Sequence, residues 1–254
     1  MTAAADEPAP YETVGYGPVG YGTVGYEAVW GDLPHDLGGR SGFGPVPVDA
    51  TRPWSAHWQQ LAQVLASLTA RAAGVNGDAL RHVMERLPAQ DYQRLGPCGR
   101  WLAVAERCAI EGGLIAPGEV NDRALRRAAR QEPPSVADYP EPGPSRFNGR
   151  LPPHHKRDPT EAPDPRFEPG DTVVVTATRP TGHTRVPGYL RGHRGRVVAI
   201  NGFWVFPDTH AIDGTEAPTW VYALRFHASD LWPGAGTHHV CADLFEPYLE
   251  STHG

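Results

Sequence analysis

Lysine is almost missing from this chain of 254 residues: Lys156 is the only one, and the remaining basic charge is arginine. Cysteine is also scarce. Three cysteines, an odd number without Cys-x-x-Cys spacing, exclude a disulfide framework and a cysteine-built zinc site. Cys98 and Cys108 fall on one expected helix, about 15 Å apart and too far to bridge. A reducing cytoplasm is the compartment this usage fits. No apolar run approaches the roughly 20 residues of a membrane span. The opening MTAAADEPAP lacks the basic and apolar regions of a secretory signal. Also missing are a Gly-x-Ser-x-Gly elbow, a phosphate-cradling loop and a carboxylate dyad. A chain without a nucleophile beside its base contributes to catalysis electrostatically, with the reactive group supplied by another molecule.

What is present divides the chain. Residues 11–30 repeat every five positions, with tyrosine at 11, 16, 21 and 26. An odd step of this kind lines no single face of a helix or strand, so residues 1–34 read as an extended arm, either disordered or docking its aromatics on a partner. HDLGGRSGFGPVPV at 35–48 is too rich in glycine and proline for regular structure. Residues 35–130 then read as a helical domain behind that Gly-rich opening. Trp54, Trp58, Leu61, Leu65 and Leu68 predict a buried helical stripe. Asp78 is the expected N-cap of a helix to Leu87, with Leu80, Val83, Met84 and Leu87 inward. A helix from about Gly99 to Gly112 turns Trp101, Leu102, Ala105 and Cys108 to one side, and Pro117 and Glu119 open a last helix ending near Arg130. Residues 131–165 read as a proline-rich linker. From 166 to 254 the period becomes two. DTVVVTA, GRVVAI, WVYALRF and HVCADLF predict the strands of a small antiparallel barrel. The fold class is therefore α+β.

The chain has a formal net charge of −6, yet between Asp171 and Asp208 it carries five arginines and no carboxylate. Nucleic acid is disfavoured as the matching anion, because only Tyr189 offers a stacking face between Arg179 and Arg196 and the acidic chain repels a polyanion. Arg191, Arg194 and Arg196 suit a solvated turn. Arg185 differs, since Gly182 and Pro187 pin the backbone around it, as befits a side chain that must be aimed. The adjacent pairs His154–His155 and His238–His239 point to opposite sides of an extended chain and no cysteine sits at ligand spacing, so no metal site is expected in this chain.

Over residues 35–250 the motifs resemble, in order, those of the β subunit of nitrile hydratase. HDLGGRSGFGPV resembles its opening arm, and HWQQL, DALRHVMERL and RWLAVAERCAIEGGLIAPGEV its helices. FEPGDTVVV, PTGHTRVPGYLRGHRGRVV, FPDTHA and DLFEPYLE resemble its C-terminal SH3-like barrel. The resemblance implies a lyase: hydration of nitriles to amides by an αβ heterodimer or (αβ)2 heterotetramer. Iron(III) or cobalt(III) is then bound by the α subunit through partly oxidised cysteines, and this chain alone binds none. It also implies that Arg81 and Arg185 hydrogen-bond the oxidised cysteine oxygens of the partner.

The departures bear on substrate. Pro97, Cys98 and Gly99 stand where the family has aromatic and acidic residues, while Trp101 remains, and Gln63 stands where a substrate-facing tyrosine is expected. Gln63, Pro97 and Trp101 are thus the expected pocket residues, and fewer phenols imply a wider pocket. Two other readings stay open: an accessory protein that stabilises or metallates an α-like chain, and a subunit of a related thiocyanate hydrolase.

Overall fold

The computed structural model describes residues 34–36, 38, 57–130, 155–178 and 182–252. The tyrosine repeat, most of the Gly-rich motif, Trp54 and linker residues 131–154 lie outside the described residues.

Five helices come first: α1 (His57–Ala72), α2 (Gly77–Glu85), α3 (Ala89–Arg94), α4 (Gly96–Glu111) and α5 (Glu119–Arg130). Helix α1 packs against α4 through alanines. Ala62 and Ala66 are fully buried and Ala70 nearly so, whereas Trp58, Leu61, Leu65 and Leu68 are 40–56% exposed. The large residues were expected inside, and the structure reverses this. Alanine lets the two helix axes approach closely, which leaves the bulky stripe facing away from this chain. Gly112 marks the tightest point, where a Cβ would sit 2.5 Å from that of Ala73. The helical core is Ala70, Leu80, Val83, Val104 and Cys108, with Met84, Leu87 and Trp101 packed against it. The inward face expected for α2 is therefore present.

The N-cap of α2 is Asn76, not Asp78. The Asn76 Oδ1 accepts from the backbone N–H groups of Asp78 and Ala79 at 3.0 and 2.8 Å. Asp78 lies two positions further in, 1% exposed. Both residue types cap helices well, so the local pattern does not choose between them. The short α3 was not anticipated, and α4 begins three residues earlier than Gly99, with Pro97 in its first turn, where a missing N–H costs nothing.

The sheet is antiparallel, in the order β5–β4–β3–β2–β6. Its strands are β1 (Lys156–Arg157), β2 (Thr172–Val175), β3 (Arg194–Trp204), β4 (Thr219–His227), β5 (His239–Phe245) and β6 (Leu249–Ser251), with short helices α6 (Pro207–Asp213) and α7 (Ala228–Leu231). All four strands expected from alternation are present. The expected closed barrel is not: among the described residues β5 and β6 remain separate edges. Strand β3 is long enough to pair along one edge with β2 and then with β1, and irregularities at Val197/Ala199 and Ile200/Gly202 bend it against β4. The core beneath contains fully or almost fully buried Val173, Val175, Leu190, Tyr222, Leu224, Phe226 and Leu244.

Part of the stretch expected as linker is attached to this sheet. β1 pairs with Phe203 and Trp204, and the Trp220 indole donates to the Pro163 carbonyl at 2.7 Å. Proline biases this stretch to extended backbone, and extended backbone at a sheet edge can pair. No described helix is long and apolar enough to cross a membrane.

Candidate functional site at the helix–sheet junction

Helix α2 meets α6 and the loop before β3. The loop carries His183, Thr184 and Arg185, between half-buried Gly182 and buried Val186. Several bonds pin its backbone. The Arg185 N–H donates to the Tyr248 hydroxyl at 3.2 Å, and the Val186 N–H to the Thr184 hydroxyl at 3.3 Å. Arg191 braces the loop from the side, donating to the Thr178 carbonyl at 2.6 Å and the Thr184 hydroxyl at 3.3 Å. This corrects the reading of Arg191 as part of a solvated turn. Arg194 and Arg196 are exposed, as expected, but they sit on the outward face of strand β3, paired with β2, and not in a turn.

Beneath the loop lies a buried polar network. The His183 imidazole, 1% exposed, shares a 2.8 Å hydrogen bond between Nδ1 and the Glu85 carboxylate on α2. The His82 ring stands edge-on to His183 at 5.9 Å. Burial alone would raise the Glu85 pKa, but hydrogen bonds from His183 and His82 overcome it and hold the carboxyl at about 2. Asp208, at the start of α6, accepts a hydrogen bond from the Tyr248 hydroxyl. Burial outweighs that bond and pushes Asp208 up to about 6, and the Tyr248 hydroxyl is driven far above the ordinary phenol range by burial and by this carboxylate.

The opening motif docks here too. The Asp36 carboxylate accepts from the Gly188 N–H at 2.9 Å, and a Cβ on Gly38 would lie 2.5 Å from the Tyr189 ring. His35 sits close enough to Glu85 and Arg185 to feel both, though burial is the main cause of its lowered pKa.

Against this buried frame the two expected arginines are outward-facing. Arg185 is exposed, and among the described residues no hydrogen bond or ion pair holds its guanidinium. Arg81, on the first full turn of α2, is 53% exposed and touches Asp78 through one nitrogen at 3.2 Å. The structure does not gather the expected pocket residues around them. Gln63 and Pro97 are exposed on α1 and α4, and half-buried Trp101 packs on the helical core. Glu85, His183, Asp208 and Tyr248 were missed by sequence reasoning, because their partners lie 40 to 98 residues apart. Among the described residues two groups bring metal-ligating atoms within 4.8 Å of one another, Asp78 with His155 and His210, and His82 with Glu85 and His183. Neither follows from ligand spacing along the chain.

The braced loop presents an exposed guanidinium with no ion pair among the described residues, and α1 carries an exposed apolar stripe; both are features suited to a subunit interface. Both parts of the chain match one known family. Residues 32–144 match the family model "Nitrile hydratase beta subunit, N-terminal" and residues 154–251 match "Nitrile hydratase beta subunit, C-terminal". The chain belongs to the nitrile hydratase β-subunit family. It is 33% identical over 227 residues, covering 85% of this chain and 97% of the relative, to the low-molecular weight cobalt-containing nitrile hydratase subunit beta of Rhodococcus rhodochrous. It is 31% identical to the nitrile hydratase subunit beta of a Rhodococcus species, over 84% of this chain and 93% of that one. With the cobalt-containing subunit beta of Pseudonocardia thermophila the identity is 29%, over 85% and 94%.

Proposed function

We propose that this chain is the non-metal β subunit of a nitrile hydratase, completing and shielding a site whose iron(III) or cobalt(III) is held by an α subunit. The observation that carries the proposal is Arg185: an exposed guanidinium on a tightly braced loop, with no anion paired to it among the described residues. Its own cysteines do not form a claw. Cys98 and Cys108 are buried in α4 and Cys241 is exposed on β5. The donor set for a thiolate-bound metal must therefore come from the partner. When bound there, the metal supplies Lewis acidity toward nitrile or water.

The work of this chain is electrostatic. Arg185 and Arg81 donate charge-assisted hydrogen bonds to the oxygenated cysteine sulfurs of the α subunit. Guanidinium suits this task because it is planar, forked and always charged, where lysine is flexible and titratable. The ionised Glu85 beneath the loop keeps His183 in place, and Tyr248 fixes the Arg185 backbone, so the donor is oriented before the partner arrives. Two relatives are named as cobalt-containing, which favours cobalt here. A C-terminal SH3-like barrel closed on assembly, in an αβ or (αβ)2 complex, completes this reading.

Co-expression with the cognate α chain tests it. The complex is expected to co-purify with one cobalt or iron per αβ pair and to convert nitriles to amides. An α-like chain that takes up metal and then leaves an inactive β chain behind would favour the accessory reading instead.

A further inference from the structure

Beside the helix–sheet junction is a cavity of about 250 Å³, lined in part by Asn76, Leu80, His155, Arg157, His210 and Glu216. Asp78 stands behind it, 1% exposed. We propose that Asp78, His155 and His210 form a site for a divalent transition-metal ion of the zinc or cobalt(II) class, which fastens the helical half of the chain to the sheet half.

The three ligands come from three elements: the first turn of α2, the residue before β1, and α6. Both imidazoles present Nδ1 to the same carboxylate oxygen, His210 at 2.8 Å and His155 at 3.4 Å. Their rings stand edge-on, 5.3 Å between centroids at 87°, so the two nitrogens approach that oxygen from different directions. A tetrahedral zinc ion with bonds of about 2.0–2.2 Å spaces its ligand atoms about 3.3–3.5 Å apart. The His155–Asp78 separation already meets that spacing. The His210–Asp78 pair must open by only about half an ångström, within the reach of a small ring rotation.

The surroundings are those of a supported ligand set. Arg81 occupies the other carboxylate oxygen at 3.2 Å, which turns the free one toward the imidazoles. The Asn76 amide donates to the His210 carbonyl at 2.7 Å and so fixes the backbone that carries this ligand. Such outer contacts hold first ligands in place. Ligation through Nδ1 requires each imidazole to carry its proton on Nε2. His155, 37% exposed, can give that N–H to water. The fourth position opens on the cavity, which supplies both an entry path and room for a water ligand. Two nitrogens and one oxygen select zinc, cobalt(II) or nickel over calcium and magnesium, which require oxygen donors.

The test uses the full-length chain without a histidine tag, stripped by chelator and titrated with zinc chloride by calorimetry. Cobalt(II) chloride serves as the spectroscopic probe. One saturable zinc per chain, a tetrahedral cobalt(II) visible spectrum, and a rise in Tm reversed by EDTA are expected. Each of His155→Ala and His210→Ala should weaken zinc binding about tenfold or more, as loss of a ligand costs at least what loss of an outer contact does. His155 is partly exposed, so its variant keeps the fold, which circular dichroism checks. His239→Ala, in the exposed pair on β5, should change nothing. Absence of saturable binding, or binding that survives both ligand variants, overturns the site. So does binding that vanishes with His239→Ala. None of these outcomes touches the role given to Arg185, which lies on another loop.

Discussion

Arg185 and Glu85 illustrate how one residue is made useful by others. Arg185→Lys keeps the charge but loses the planar fork. In the assembled complex it is expected to lower the rate of amide formation about tenfold or more, as loss of a positioned donor commonly does. Arg81→Lys should follow in the same direction, and wild-type turnover in both variants would remove the assignment. Glu85 makes a stability prediction with a definite sign. Its folded value of about 2 lies below the ordinary 4.5, so its contribution is present above that value and fades as pH falls toward 2. Linkage puts the contribution at about 3 kcal/mol. Glu85→Gln should therefore unfold more readily than wild type at pH 7, and the gap should close in acid. Asp208 has the opposite sign, because burial raises it to about 6 and its ionisation opposes folding above that pH. Asp208→Asn should gain about 1–2 kcal/mol at neutral pH once solvent screening is allowed for, with no gain near pH 4. Urea unfolding at the two pH values reads both variants.

Helix α1 carries the lesson at the scale of an element. Its alanine face is the internal contact and its leucine face is exposed, so two neighbouring substitutions should behave in opposite ways. Ala66→Leu overpacks a site with no exposure and is expected to cost about 1–3 kcal/mol of stability. Leu65→Glu, at a side chain 49% exposed, should leave the unfolding midpoint of the chain alone almost unchanged. The same substitution should abolish or sharply weaken co-purification with the α subunit, measured by pull-down. Periodicity showed that α1 is amphipathic, but amphipathicity does not say whether the apolar face meets this chain or another. The sequence pattern of α2 was read correctly for its inward face and wrongly for its cap. Asp78 is withdrawn from capping because two histidines, 77 and 132 residues away, meet it across the junction.

For the whole molecule, the strand alternation between 172 and 245 was legible because each strand has one face on the core and one on solvent. Sheet closure was not legible, since it depends on whether the edge strands β5 and β6 reach each other. The exposed stripe on α1, with Leu114, Val120 and Leu125 also exposed, is more apolar surface than a solitary soluble chain commonly shows. Full-length chain expressed alone is expected to self-associate on size-exclusion chromatography, and to become a single discrete species when the α subunit is supplied. A monomer indifferent to that partner would contradict the stripe as an interface.

The order of helices and strands, the scarcity of cysteine and the pinned loop around Arg185 were set by the sequence itself, because backbone preference and apolar period act over a few neighbouring residues. The pairing of Glu85 with His183, the gathering of Asp78 with two histidines and the outward turn of the leucine stripe were decided only by tertiary structure. These depend on contacts between segments far apart in the chain, and no local preference encodes which distant side chain will arrive.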